Sequence, residues 1–238
     1  MTDSQSSPRR KKPIGVAIRS DENTAVAQRQ LPVRTVTAQV QSKKLIADRR
    51  QRIIGAAITV FHELGFHNAT TVDIAREAGL TQSNLYNYVK SKQDVLFLVC
   101  EHLVGTYNNV LDEVSTKYED PYERICQGLA AIINVMSLYR DELQLLYNET
   151  HALEKPDRLM ILDMISQLIN RFQVLLEDYE RETGVQTMME RRLAANLMSF
   201  VPAIVALRSW DLVRHNSKKP NVAILNFILK GLGIHKPI

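Results

Sequence analysis

The sequence predicts an all-α protein, with an N-terminal three-helix helix-turn-helix unit followed by a larger helical region. Three observations carry this expectation. Apolar residues recur with a 3.6-residue period through most of the chain after about residue 48. The periodic stretches are bounded by helix starters (Thr70, Thr81, Ser91, Asp120) and by glycine stops (Gly65, Gly79, Gly184). No segment alternates with period two for long enough to make a strand. At 238 residues the chain has room for one to two domains and a substantial core.

Residues 1–44 are polar, lack a sustained helical period and carry the run Arg9-Arg10-Lys11-Lys12 before Pro13. This reads as a disordered basic arm, because it cannot bury enough apolar surface to offset its ordering entropy. A first helix is expected from about Asp48 to Leu64, with Ile53, Ile54, Ala57, Ile58, Phe61 and Leu64 on one face. Arg49, Arg50 and Arg52 cluster at its start, where they oppose the helix dipole. A nearby phosphate backbone accounts for them better than local stability does.

Thr70 to Lys92 reads as two short helices joined at Gly79. Thr70 and Asp73 have the spacing of a capping box, Ile74, Ala75 and Ala78 form an inner side, and Gly79 supplies a positive φ. Thr81 caps the next helix and Leu85 points inward, leaving Gln82, Ser83, Asn84, Tyr86, Asn87 and Tyr88 around the outside. A helix this short, without Lys or Glu, is suited to an edge rich in donors and acceptors, as the DNA major groove is.

Ser91 to Asp94 opens a helix running to about Val114, and Asp120-Pro121 starts another. A segment Asp141–Ala152 leads to Pro156 and a long helix ending at Gly184. Thr187 with Glu190 is expected to cap a helix that continues to Val213 with a kink at Pro202, and Pro220 precedes a last helix ending near Gly231.

Charge is distributed unevenly. Residues 1–44 hold nine Lys/Arg against three Asp/Glu, residues 45–92 six against four, and residues 93–238 fifteen against nineteen. The positive charge therefore gathers where a polyanion would be met. Cys100 and Cys126 sit in apolar-periodic segments and read as buried thiols of a reducing compartment. The six histidines show no metal-like spacing with Cys or carboxylates, and there is no glycine-rich phosphate loop. No metal, cofactor or enzymatic role is expected. The uncharged run Leu193–Leu207 is too short to span a bilayer, and no apolar core follows the basic N-terminal residues. A cytoplasmic protein without a membrane partner is expected.

Residues 48–106 resemble the DNA-binding domain of TetR-type (TetR/AcrR) transcriptional regulators. The resemblance rests on Leu-Gly-Phe (64–66), Thr-Thr-Val-Asp-Ile-Ala (70–75), Ala-Gly-Leu-Thr (78–81), Leu-Tyr (85–86) and Lys-Ser-Lys (90–92) in order. Ser83 stands where a glycine is common and Val89 where an aromatic is common. The resemblance implies three regions: the basic arm 1–44, the DNA-binding domain 46–106 with its motif at about 70–89, and a ligand-binding and dimerisation domain 107–238. It also implies a homodimeric repressor, paired through its last two helices, on a palindromic DNA operator. Thr71 would then contact phosphate, Gln82 and Ser83 base edges, and Tyr86, Asn87, Tyr88 and Lys92 the backbone or adjoining groove. With Arg49, Thr81 and Asn84, these make up the expected DNA-contacting set.

The resemblance further implies a small-molecule effector held among the middle helices. Asn134, Tyr147, Glu149, His151 and Asn196 are the candidate pocket residues, as polar groups near or within apolar helical segments. Leu145–His151 is similar to the matching segment in family members that answer to fatty acyl thioesters. The alternative is a DNA-binding regulator controlled by a partner protein, with no small-molecule pocket. Trp210 and Arg208 are assigned to the dimer interface or core.

Overall fold

A computed structural model of the chain describes residues 43–214 and 219–236. The expected disordered arm, apart from the helical start at Lys43 and Lys44, lies outside the described residues, as does His215. Helix α1 spans Lys43–Leu64 and so begins five residues before the expected Asp48. Arg49, Arg50 and Arg52 therefore stand about two turns inside it, and the dipole argument for reading them as phosphate ligands no longer applies. Its inner face is Ile53, Ile54, Ala57, Val60 and Phe61, all buried, and Gly65 ends it at φ 75°.

Helix α2 (Thr71–Glu77) carries the expected capping box: Asp73 N donates to Thr70 Oγ1 at 3.2 Å, and Thr70 N donates to Asp73 Oδ2 at 3.1 Å. Helix α3 (Gln82–Tyr86) is capped by Thr81, whose hydroxyl accepts from Asn84 N. Helix α4 (Lys92–Lys117) starts at Ser91. Its residues from Asp94 to Cys100 are all buried, because α4 packs against α1 on one side and the later helices on the other.

Those later helices are α5 (Pro121–Leu138), α6 (Arg140–Glu149) with a 3₁₀ turn at Thr150–Ala152, and α7 (Lys155–Thr183). They are followed by α8 (Arg191–Phe200), a 3₁₀ turn at Val201–Ala203, then α9 (Ile204–Leu207), α10 (Ser209–Arg214) and α11 (Pro220–Leu232). Among the described residues there is no strand. The single kinked helix expected up to Val213 is instead three pieces, because Pro202 removes a ladder donor and the chain tightens into a 3₁₀ turn. Helix α7 contains one stretch long and apolar enough to cross a membrane by length and composition. The expectation from uncharged runs missed it, since Asp163 and Arg171 interrupt the run without removing its average apolarity. Its Ile161, Leu168, Phe172, Leu175, Leu176 and Tyr179 are buried within the protein.

Thr187 does not cap α8. The Glu190 carboxylate does, accepting from the amides of Arg192 and Leu193. Thr187 instead serves Glu180, which is only 6% exposed and accepts from Thr187 N (2.9 Å), Thr187 Oγ1 (2.6 Å) and Arg191 Nε. Burial pushes the Glu180 carboxyl up, but these donors outweigh it and hold the carboxyl below its usual range near 4.5. The stabilisation is therefore present above the unfolded value and is lost as pH falls through the folded one. Glu180→Ala is expected to cost about 2 kcal/mol at neutral pH, less than a fully buried pair because Arg191 is half-exposed. Urea unfolding between pH 6 and pH 3 should show a shallower loss of stability in the variant than in the native chain.

Candidate nucleic-acid interface and ligand cavity

The turn between α2 and α3 is fixed from both sides. Gly79 adopts φ 61°, which a β-carbon would strain, and Leu80 N donates back to the Ala75 carbonyl at 2.9 Å. Arg52 of α1 donates to the Ala78 carbonyl at 2.7 Å, satisfying the end of α2. Arg52 is thus a brace for the turn, which also answers part of the question its charge raised. Arg50 faces Glu101, whose carboxyl burial pushes up and Arg50 partly draws back. Arg49 remains a half-buried candidate on α1.

Fully buried Leu85 pins α3, so the opposite side projects outward. Thr81, Gln82, Ser83 and Asn84 are exposed, Tyr86 is exposed, and Asn87 is half-buried at the C-cap. Thr71 Oγ1 and Tyr86 OH lie 3.2 Å apart, and Gln82 Nε2 donates more weakly to the same phenol at 3.4 Å. The Thr71 contact first, then Gln82, lowers the Tyr86 phenol from its usual range. These contacts join the start of α2 to both ends of α3 in one polar surface of hydroxyls and amides.

Two residues of the expected set stand elsewhere. Tyr88 is 6% exposed and belongs to the core beside Val89, because α3 ends before it and the chain turns inward. Lys92 is committed to protein: its Nζ donates to the carbonyls of Phe66 (2.6 Å) and His67 (2.8 Å) and lies 4.7 Å from the Phe66 ring centre. Lys90, which the sequence reading passed over, is the exposed cation of that pair. The sequence marks both lysines as cations beside a helix start but does not say which of them faces solvent.

Behind this surface, α4 to α8 line a half-open apolar cavity of about 300 Å³ formed by Val104, Tyr107, Met136, Leu143, Leu146, Tyr147, Ile165, Leu168, Ile169, Asn196, Leu197, Ser199 and Phe200. Among these lining residues Tyr107 keeps its hydroxyl shut off from solvent with no hydrogen-bond partner, and burial, then the nearby Tyr147 and Glu142, pushes its phenol up. The Asn196 amide nitrogen donates to the Arg192 carbonyl at 2.8 Å, which leaves its oxygen as the free end. The rings of Tyr147 and Phe200 meet edge to face with centroids 5.7 Å apart. Beyond them lies an outer groove of about 620 Å³, also lined by Gln144, Asn148, Ile204, Leu207 and Arg208.

Of the five candidate pocket residues, Tyr147 and Asn196 line the cavity. Asn134 and Glu149 do not: Asn134 faces a groove between α4 and α5 beside Lys117 and Gln127, and Glu149 faces one between α1 and α6 beside Phe61, Phe66 and Asp141. Asn134 instead accepts a hydrogen bond from Asn221 at 3.0 Å. His151 stands with Glu149 and His67, their ligand atoms within 4.8 Å of one another, a grouping that the spacing of the histidines in sequence does not mark. Tyr107 and Ser199 were missed, since a lone tyrosine or serine in an apolar stretch is indistinguishable from core in sequence.

A short capped helix with a polar outer face, braced on an all-helical body, defines a helix-turn-helix DNA-binding regulator. Residues 53–99 match the family model described as bacterial regulatory proteins, tetR family. The chain is 33% identical over 179 residues to the HTH-type transcriptional regulator HbdR of Aromatoleum sp. (strain CIB), covering 75% of this chain and 78% of that one. The protein belongs to the tetR family. Its fold is shared by FadR of Bacillus subtilis in complex with stearoyl-CoA (TM-score 0.62, 20% identity, 76% of this chain and 98% of that one). It is shared also by AibR in complex with isovaleryl coenzyme A and operator DNA (TM-score 0.63, 15% identity, 79% and 100%).

Proposed function

We propose that this protein is a cytoplasmic, ligand-responsive repressor that binds a palindromic operator as a homodimer and is released by an acyl thioester or a similar hydrophobic effector. The observation that carries the effector is the apolar cavity behind the DNA-binding helices, with Tyr107, Tyr147, Asn196 and Ser199 as the polar residues of its lining. Cavities that bind small ligands are mostly apolar with a few placed polar groups, and this one is at the small end of their usual size. A short or aromatic acyl group suits it, with the polar remainder in the groove beside Arg208. The acyl-CoA complexes of FadR and AibR support that class. A pocket-free regulator governed by a partner protein is disfavoured by the same cavity.

Exposed apolar residues on α8–α11 support pairing through the last helices: Leu193, Ile204, Trp210, Val213, Val222 and Phe227 are each more than two-fifths exposed. Pairing there would set two α3 helices in successive major grooves, about 34–36 Å apart. An effector acts only by favouring one separation over another.

Selection of bound DNA from a random pool tests this, repeated with a panel of acyl-coenzyme A thioesters. An enriched inverted repeat, released by one size class of thioester, is the expected result. Enrichment without symmetry, or equal retention with every thioester, counts against it. On the selected site, Gln82→Ala is expected to alter base preference, costing about 1–3 kcal/mol of discrimination at one position. Tyr86→Ala should weaken binding to all sequences alike, and equal loss of preference in both variants would remove this division of labour.

A further inference from the structure

We propose that His67, Glu149 and His151 form a binding site for a divalent transition-metal ion of the zinc class, tying the helix-turn-helix to the end of α6. Their ligand atoms all lie within 4.8 Å of one another. His67 Nε2 and Glu149 Oε2 are 3.6 Å apart. Two atoms each about 2.1 Å from a tetrahedral ion are about 3.4 Å apart, so this edge is nearly formed already. Two imidazoles and one carboxylate are a donor set for zinc and its neighbours rather than for magnesium or calcium, which take oxygen.

Three further features distinguish the trio from a casual surface cluster. Glu149 Oε2 is shut off from solvent and has no hydrogen-bond partner; the His67 contact at 3.6 Å is too long for a hydrogen bond, and a metal ion between the two atoms would satisfy both. Lys92 Nζ donates to the His67 carbonyl and to that of Phe66 just before it, and the His67 ring packs edge to face on Phe66 at 5.6 Å. One donor is thereby positioned before any ion arrives. Both imidazoles are exposed, which leaves a path for entry and a fourth position for water.

The donors come from two parts of the chain. His67 lies between α1 and α2, whereas Glu149 ends α6 and His151 is in the 3₁₀ turn after it. An ion here resists separation of the DNA-binding helices from α6, beside the exposed His62–Asp141 contact at 3.4 Å. The site is separate from the apolar cavity, and its failure would leave the effector reading standing.

The test is titration of the full chain with cobalt(II), read by its visible ligand-field bands, followed by displacement with zinc. One ion per chain is expected, and zinc should raise the thermal unfolding midpoint. His67→Ala and His151→Ala, both at exposed positions, should each weaken binding by roughly 100-fold or more, beyond the 10–100-fold of an outer-shell loss. Glu149→Gln should do the same, and all three should abolish the thermal shift while keeping native helical content. No saturable uptake below millimolar cobalt would overturn the proposal, as would bands that persist in both histidine variants. A sulfur-to-cobalt charge-transfer band would overturn it too, by placing the ion on a cysteine.

Discussion

Lys92→Ala is expected to destabilise the chain by about 3 kcal/mol while leaving the salt dependence of DNA binding almost unchanged. Its ammonium makes two charge-assisted hydrogen bonds to the Phe66 and His67 carbonyls and covers the Phe66 ring. Such bonds contribute about 1.5–3 kcal/mol each when buried, and the lower figure suits a half-buried lysine. A lysine spent on carbonyls releases no phosphate counterion. Lys90→Ala should behave in the opposite way: stability nearly unchanged, and the slope of log affinity against log salt reduced by about one. Urea unfolding, with affinity measured between 50 and 200 mM salt, separates the two. A reduced slope for Lys92→Ala at unchanged stability would return that residue to the phosphate-contacting set.

Tyr107→Phe is expected to stabilise the free protein by about 1–2 kcal/mol and to weaken effector binding by about tenfold or more. The side chain is 2% exposed and its hydroxyl has no partner. An unsatisfied buried hydroxyl costs about 1–3 kcal/mol, and removing it leaves no void because the ring stays. Under the proposed function, the hydroxyl becomes a donor for an acyl carbonyl once a bound effector opens the cavity wall to it. Denaturant unfolding without effector, and effector titration by calorimetry, give the two numbers. A loss of stability instead would show that the hydroxyl is already paired in the free protein.

The helix-turn-helix was largely legible because its determinants are local. Thr70, Thr81 and Ser91 each cap an amide three residues away, and Gly79 meets a backbone demand that its own identity reveals. What depends on distant partners was not legible. Whether Lys92 or Lys90 faces solvent is decided by where the Phe66 and His67 carbonyls lie, 25–26 residues earlier. Tyr88 lies only two residues from Tyr86, yet one is core and the other surface. Arg52 looked like a phosphate ligand because its carbonyl partner, Ala78, was invisible. In the cavity, polarity marked out Tyr147 and Asn196 together with three residues that point elsewhere, since helical phase near a chain reversal shifts by a residue or two. Glu149 and His151 stand more than eighty residues from His67, beyond the reach of any spacing rule.

The edge-to-face pair of Tyr147 and Phe200 has a consequence for how size is read. The two rings partition the inner cavity from the outer groove. A molecule short enough for either compartment leaves the partition standing, while one that spans both must swing a ring aside. Phe200 is the freer of the two, 56% exposed against 43% for Tyr147, and it is the last residue of α8 before the proline-broken turn. Under the proposed function, a guest long enough to span both would displace Phe200 at the joint that leads to the exposed apolar helices. Selectivity and response meet in one side chain, and a chain-length threshold, rather than a graded preference, is the behaviour to look for.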